Sequence, residues 1–387
     1  MSVLAQPTLS KSHRGASARR VPLETLLFAV LTLLALSLIG LGIPLPPPSV
    51  QVVVLAVLVG GLGLPHGALD PLIARRAGLW RRPLGFVGFN LGYLLLVVAV
   101  VAVWFAAPGP SLAFFLLVSG IHFGADWNAG RSLWLRIPPG LALLTLPAWV
   151  HHDEVAAIYR TLAGSAGVVI ATVQSALGLA ALSAMLLGAA MVLRSHPHQA
   201  LELVLTAALA TFAPPLIFFV IYFCALHSVR HLTHGFRVER AESARRTSFA
   251  RRAKGDEVAA SDRRPVPWPV IITIVYTLGP ILAVAALWSS FDAVSLGDRM
   301  TQLVFIGLAA LTVPHMVVVA AETLAGRRGA PGSGAEVGAG TGVEAGAGAA
   351  TGAGAVAVAG AATGAAAEAG AATGIAPAEA SPTAKLD

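Results

Sequence analysis

The uncharged run from Val50 to Pro65 ends in the stretch GLPHGALDPL (63–72), where His66 is followed four residues later by Asp70. A second apolar run ends in SGIHFGADW (119–127), with His122 and Asp126 at the same spacing. This feature most constrains the fold. Runs of about 20 mostly apolar residues, within a range of roughly 17–25, are membrane-spanning helices. In a bilayer every backbone polar group must be satisfied within the protein, which leaves helices or a closed barrel. Unbroken apolar runs specify helices. A histidine and a carboxylate at membrane depth are costly, and by default they mark a functional site.

Ten candidate spans fall near residues 23–43, 50–74, 84–107, 111–130, 137–150, 166–193, 199–213, 214–236, 268–290 and 300–322. Segment 137–150 is short and holds Pro138, Pro139 and Pro147, and only Pro214–Pro215 separates 199–213 from 214–236. The expectation is an all-α, polytopic bundle of 8 to 10 spans. Only 12% of residues are charged, about half the proportion usual in soluble domains.

The chain divides into a basic segment (1–22), a multi-pass membrane domain (23–325) with a basic loop at 237–264, and an Ala/Gly-rich tail (326–387). The tail has almost no large side chains to bury, so it is expected to be disordered. From Gly329 onward it carries five acidic residues against Lys385, so the chain before Gly329 is more basic than the overall net charge of +7.

That charge does not imply nucleic-acid binding, because it lies in alternate connections between apolar runs. Lys11, Arg14, Arg19 and Arg20, the stretch RRAGLWRR (75–82), Arg131 and Arg136, Arg194, the loop 237–264, and Arg327 and Arg328 fall on one side. PLPPPS, APGPS, HHDE (151–154), the Pro–Pro turn and the connection with Asp292 and Asp298 fall on the other. The positive-inside rule then places both termini in the cytoplasm of a cell-membrane protein. Cys224 is the only cysteine, so neither a disulfide within the chain nor a cysteine metal site can form.

His66, His122, His227 and His315 fall in spans that run in the same direction, each in the cytoplasmic half. In FFVIYFCALHSVRHLTHGF (218–236), His227 and His231 are four residues apart and share a helical face. They can direct two imidazoles at one point, and imidazole suits Zn, Cu, Fe and Ni. Asp70 and Asp126 are suited to hold a ligand imidazole in one tautomer, directly or through a neighbouring helix. Gly67 and Gly124 would let a helix or a substrate come close. His315, beside Pro314, is either a polar contact at a kink or a direct member of the site. Arg230 either reaches the interface or pairs with an acid such as Asp70 or Asp126. Glu202 and Glu322 lie near span ends and can reach the interface.

The stretches LPHGALDPL (64–72), SGIHFGADW (119–127), ALHSVRH (225–231) and, more loosely, VPHM (313–316) resemble, in order and spacing, the bacterial and archaeal β-carotene 15,15′-dioxygenases, the Brp/Blh family. The resemblance covers roughly residues 25–325. It implies cleavage of β-carotene by O₂ at the central double bond, giving two retinal molecules. It also implies a non-haem Fe(II) held by His66, His122, His227 and His231, with Asp70, Asp126 and His315 around the ligands. A retinal-binding rhodopsin is the functional partner that such a product suggests.

An apolar substrate dissolved in the bilayer suits a metal at membrane depth with a lipid-open tunnel. Phe123, Trp127, Tyr222, Phe223 and Met316 are candidates for its wall. A di-iron desaturase would need more histidine boxes. A metal or proton transporter, using His and Asp as relay groups, and a bis-histidine haem protein are the other readings.

Overall fold

The computed structural model describes residues 21–128, 133–254, 268–286, 288 and 295–329. The expected tail, from residue 330 onward, and most of the N-terminal segment lie outside the described residues, as does the end of the basic loop. Within the described residues the protein is helical and has no strand. Six helices are long and apolar enough to cross a membrane: Leu23–Gly40, Pro83–Ala106, Pro108–Trp127, His152–Ala176, Pro215–Arg245 and Leu296–Gly326. Shorter apolar helices cover Pro48–Gly63, Leu135–Val150, Gly178–Val192 and Pro269–Ala283. The chain is therefore an all-α, polytopic membrane bundle.

The elements run α1 (Leu23–Gly40), α2 (Pro48–Leu58), a π-helical turn π1 (Val59–Gly63), α3 (Leu64–Gly67), α4 (Asp70–Arg76), α5 (Pro83–Ala106), α6 (Pro108–Phe123) and α7 (Ala125–Asn128). Then follow α8 (Leu133–Val150), α9 (His152–Ala176), α10 (Gly178–Val192), α11 (Pro197–Phe212), α12 (Pro215–Val220), a second π segment π2 (Ile221–Ser228), α13 (Val229–Lys254), α14 (Trp268–Ala286) and α15 (Leu296–Gly329). Proline stands in the first turn of α2, α5, α6, α11 and α12. There its missing N–H costs nothing, because the first turn has no intrahelical acceptor for it.

The expected span 166–193 differs from what forms. The HHDE stretch is not a loop: α9 begins at His152, breaks at Ala163–Gly164, and resumes to Ala176. Gly164 has φ 59° and ψ −140°, a conformation that side chains disfavour, and Gly167 packs against the Tyr159 carbonyl. A short turn at Leu177 then leads into α10. The other hydropathy difference is at 237–254, where α13 continues as a helix well past the apolar part of its span. The Pro–Pro junction is a true break, since Pro214 is non-helical at φ −52°, ψ 146°.

α8 packs against α6, α9, α10 and α11, and α15 packs against α2, α4, α5 and α9. The tightest seam is α6 on α8. A Cβ on Gly140 would stand 1.9 Å from the Gly120 carbonyl oxygen, and one on Gly124 would stand 2.1 Å from that of Arg136. Small residues let membrane helices approach this closely.

Polar contacts gather at the two ends of the bundle. Arg76 reaches Glu239 (2.5 Å), Glu322 (3.0 Å) and Glu242 (3.8 Å), joining α4, α13 and the end of α15. Charge patterning assigns these same segments to one face. Toward the other end, Thr161 donates to Asp298 (3.1 Å) and the Gln302 amide donates to the Thr161 carbonyl (3.0 Å). Between the ends, exposed Leu, Val and Ile side chains dominate the surface of α1, α5, α10 and α14.

Candidate functional site

The histidines come together where α6, π2, α13 and α15 meet. His122 ends α6, His227 lies in π2, His231 is in the first turn of α13 and His315 is on α15. Ring centroids are 4.9 Å apart for His122–His227, 4.5 Å for His227–His231, 5.4 Å for His122–His231 and 5.1 Å for His122–His315. His122, His227 and His231 form a group whose ligand nitrogens lie within 4.8 Å of one another. Two nitrogens on one ion, each about 2.0–2.1 Å from it, stand at most about 4.2 Å apart. Small ring rotations would therefore bring the three onto a common ion. His66 lies on α3 beside this region, but its side chain lies outside the described residues.

Each carboxylate holds a histidine from another helix. His227 Nδ1–H donates to Asp126 Oδ2 at 2.9 Å, and His231 Nε2 lies 3.5 Å from Asp126 Oδ1. His315 Nδ1–H donates to Asp70 Oδ1 at 2.7 Å. Of the two options for His315, the structure places it beside the cluster. A neutral imidazole protonated on Nδ1 carries its lone pair on Nε2, so Asp126 holds His227 in a tautomer whose Nε2 could bind a metal.

Two tyrosines complete the pattern. Tyr222 O–H donates to Asp126 Oδ2 at 2.6 Å, and Tyr93 O–H donates to Asp70 Oδ2 at 3.0 Å. Tyr222 was expected in a substrate channel. The π geometry explains the change, because a helix bonded i to i+5 brings residues five apart together. Tyr222 and His227 therefore reach the same carboxylate oxygen. α-Helical periodicity gives no hint of this. Tyr93 carries no motif, and its only sequence signal is a phenol within an apolar span.

Arg230 pairs with acids, as expected, but these are Glu202 and Glu24 and neither aspartate side chain. It donates to the Asp126 main-chain carbonyl (2.9 Å) and to Glu202 (2.6 Å), with Glu24 at 3.8 Å. Glu202 does not reach an interface. It is fully buried and also accepts from Thr25 Oγ1 at 2.5 Å. Glu322, expected near the interface, lies part-exposed at the end of α15 within the Arg76 cluster.

A cavity of about 780 Å³ adjoins the cluster, within the roughly 300–1,000 Å³ common for small-molecule sites. His122, His227 and His315 stand in its otherwise largely apolar wall. Phe123 and Phe223 are also in that wall, as expected. Trp127, Tyr222 and Met316 are not. Trp127 and Tyr222 are packed in the core, and Met316 turns to another side of α15 from His315 and Thr312. Phe223 stacks on the His227 ring at 5.5 Å, and Phe123 meets it edge-on at 4.9 Å. Gly67 lines the cavity with open space above it, whereas Gly124 is pressed under α8.

Fold and site together define a polytopic membrane protein with a polyhistidine centre opening onto an apolar cavity. Residues 57–321 match the family model described as Beta-carotene 15,15′-dioxygenase, and the chain belongs to that family. It is 34% identical over 269 residues to the Beta-carotene 15,15′-dioxygenase of an uncultured marine bacterium, 66A03, covering 68% of this chain and 90% of that protein. It is 27% identical over 287 residues to the Probable beta-carotene 15,15′-dioxygenase Blh of Halobacterium salinarum, covering 66% of this chain and 80% of that protein. No solved structure matches.

Proposed function

We propose that the protein is a membrane dioxygenase that cleaves β-carotene at the 15,15′ double bond with O₂, releasing two molecules of all-trans-retinal. Each carbon of the broken double bond leaves as an aldehyde bearing one atom of O₂. The observation that carries this reading is the three-histidine group standing in the wall of a largely apolar cavity. Such a wall suits a hydrocarbon better than the hydrated ion of a transporter.

The donor set fits Fe(II). His122, His227 and His231 supply neutral imidazole nitrogens within reach of one ion, and family resemblance adds His66. Bound there, iron supplies the redox chemistry that lets O₂ react with the double bond. The chain's own side chains do the rest. Asp126 holds His227 on Nδ1 and Tyr222 donates to the same carboxylate, so the imidazole cannot turn. Asp70 and Tyr93 hold His315 in the same manner. Phe123 and Phe223 flank His227 and keep water from the ring. The cell membrane, with the Arg76 face toward the cytoplasm, is the proposed location.

The test is expression in bacteria that accumulate β-carotene, with loss of colour and retinal measured by chromatography. Bleaching with retinal in the wild type, and neither in His227→Ala, is the expected result. Intact carotenoid in the presence of folded, iron-loaded protein would overturn the assignment.

A further inference from the structure

The cavity is walled on one side by α5 and α14, through Asn90, Tyr93, Leu94 and Val97 on α5 and Ile272, Val275, Tyr276 and Gly279 on α14. Some of these residues face two ways. Leu94 and Val275 line the cavity and are 58% and 57% exposed. On the same helices Leu91, Leu95 and Val98 of α5 and Ile274, Leu278 and Leu282 of α14 are exposed without lining it. A membrane helix exposes such residues to lipid. Gly279 also lines the cavity, and a Cβ placed on it would meet nothing within 4 Å.

α5 packs along α15 and α6, and α14 packs on α3 and π1. A hydrogen bond from Tyr276 O–H to Asn90 Oδ1 ties α5 to α14 directly. Asn90 is itself anchored, since its amide donates to the Phe86 carbonyl at 2.7 Å.

We propose that the seam between α5 and α14 is a lateral portal through which a long apolar substrate passes from the bilayer into the cavity, with Asn90 and Tyr276 as its latch. The proposal rests on the dioxygenase reading for the substrate's identity, but the portal itself rests on the exposure of its lining. A hydrocarbon dissolved in lipid never has to cross water by this route. Opening it breaks one hydrogen bond between two neutral side chains.

The experiment uses the full chain in vesicles loaded with β-carotene. In Asn90→Cys/Tyr276→Cys, a short bis-thiosulfonate linker that reductant cleaves would close the seam, and wild type treated alike controls for Cys224. Carotenoid co-purifying with the protein and retinal formed are read separately. Linked protein should take up carotenoid roughly tenfold less than unlinked protein, and cleaving the linker should restore uptake. Gly279→Trp, which fills open space at the seam, should lower uptake relative to wild type. Equal uptake by linked and unlinked protein, together with normal uptake by Gly279→Trp, would overturn the portal. Wild-type protein that takes up carotenoid and forms no retinal would instead overturn the dioxygenase reading and leave the portal standing.

Discussion

The two His-x-x-x-Asp units are nearly alike in sequence and unlike in their surroundings. Asp126 sits in the closed part of the bundle. It accepts from His227 and Tyr222, lies near His231, and its main chain is held by Arg230. Asp70 sits on the cavity side. It accepts from His315 and Tyr93, both of which line the cavity. The same spacing has thus produced a mount for a three-histidine group and a second mount that borders the cavity. A motif states which side chains are available, and the neighbouring helices decide which of them it serves.

The largest expected difference between the units comes from the ion pair beneath Asp126, which Asp70 lacks. Arg230→Met leaves Glu202 buried without its cation, which costs about 3–5 kcal/mol. Chemical unfolding of the detergent-solubilised protein measures it, with iron content falling in parallel. Arg230→Met/Glu202→Leu should recover much of the loss, because replacing a whole buried pair is far less costly than breaking it. A double variant as unstable as the single one would mean that Arg230 acts by packing alone.

Next in size is the contrast between the glycines. Gly124→Ala would put a methyl against the Arg136 carbonyl, and main chain cannot yield as a side-chain tip can. Overpacking of this kind costs about 1–3 kcal/mol or more. Thermal unfolding should show it clearly.

Smaller is the contrast between the carboxylates. Asp126→Asn should weaken iron binding about 10- to 100-fold, the usual effect of removing a carboxylate behind a ligand imidazole. Asp70→Asn should weaken it less and act mainly on turnover, since His315 stands outside the three-histidine group. Iron titration separates the two, and equal losses of affinity would make His315 a ligand on a par with the other three.

Much of the architecture was legible because hydropathy and charge report directly on the membrane. The apolar runs became helices, and Arg76 of the basic connection 75–82 meets Glu239 of the basic loop and Glu322 at the end of α15. The break inside α9 was hidden because it depends on the backbone freedom of Gly164, which leaves hydropathy unchanged. At the site, His227 and His231 were legible from α-helical spacing, but the Tyr222–Asp126–His227 link was not. It depends on the π geometry of 221–228, and no periodicity in the sequence announces that. Glu202 was misjudged for a related reason. Its position near a span end suggested an interface, whereas α1 covers it with Thr25 and Glu24.

The smallest expected effect is at Gly67, the counterpart of Gly124 in the first unit. A Cβ there meets nothing within 4 Å, and Gly67 borders the cavity. Gly67→Ala should leave stability unchanged or raise it slightly, since Ala is favoured over Gly in a helix by about 1 kcal/mol. It would take one methyl's volume from a cavity of about 780 Å³, so turnover of β-carotene should stay close to wild type. Gly67→Leu is the sharper probe, because a large side chain at that point extends toward the histidines without disturbing a helix contact. If it shifts cleavage away from the central double bond while iron content holds, Gly67 is kept small for the substrate. If the protein instead loses iron or unfolds, the open space beside α3 belongs to the histidine mount, and the two units are more alike than their surroundings suggest.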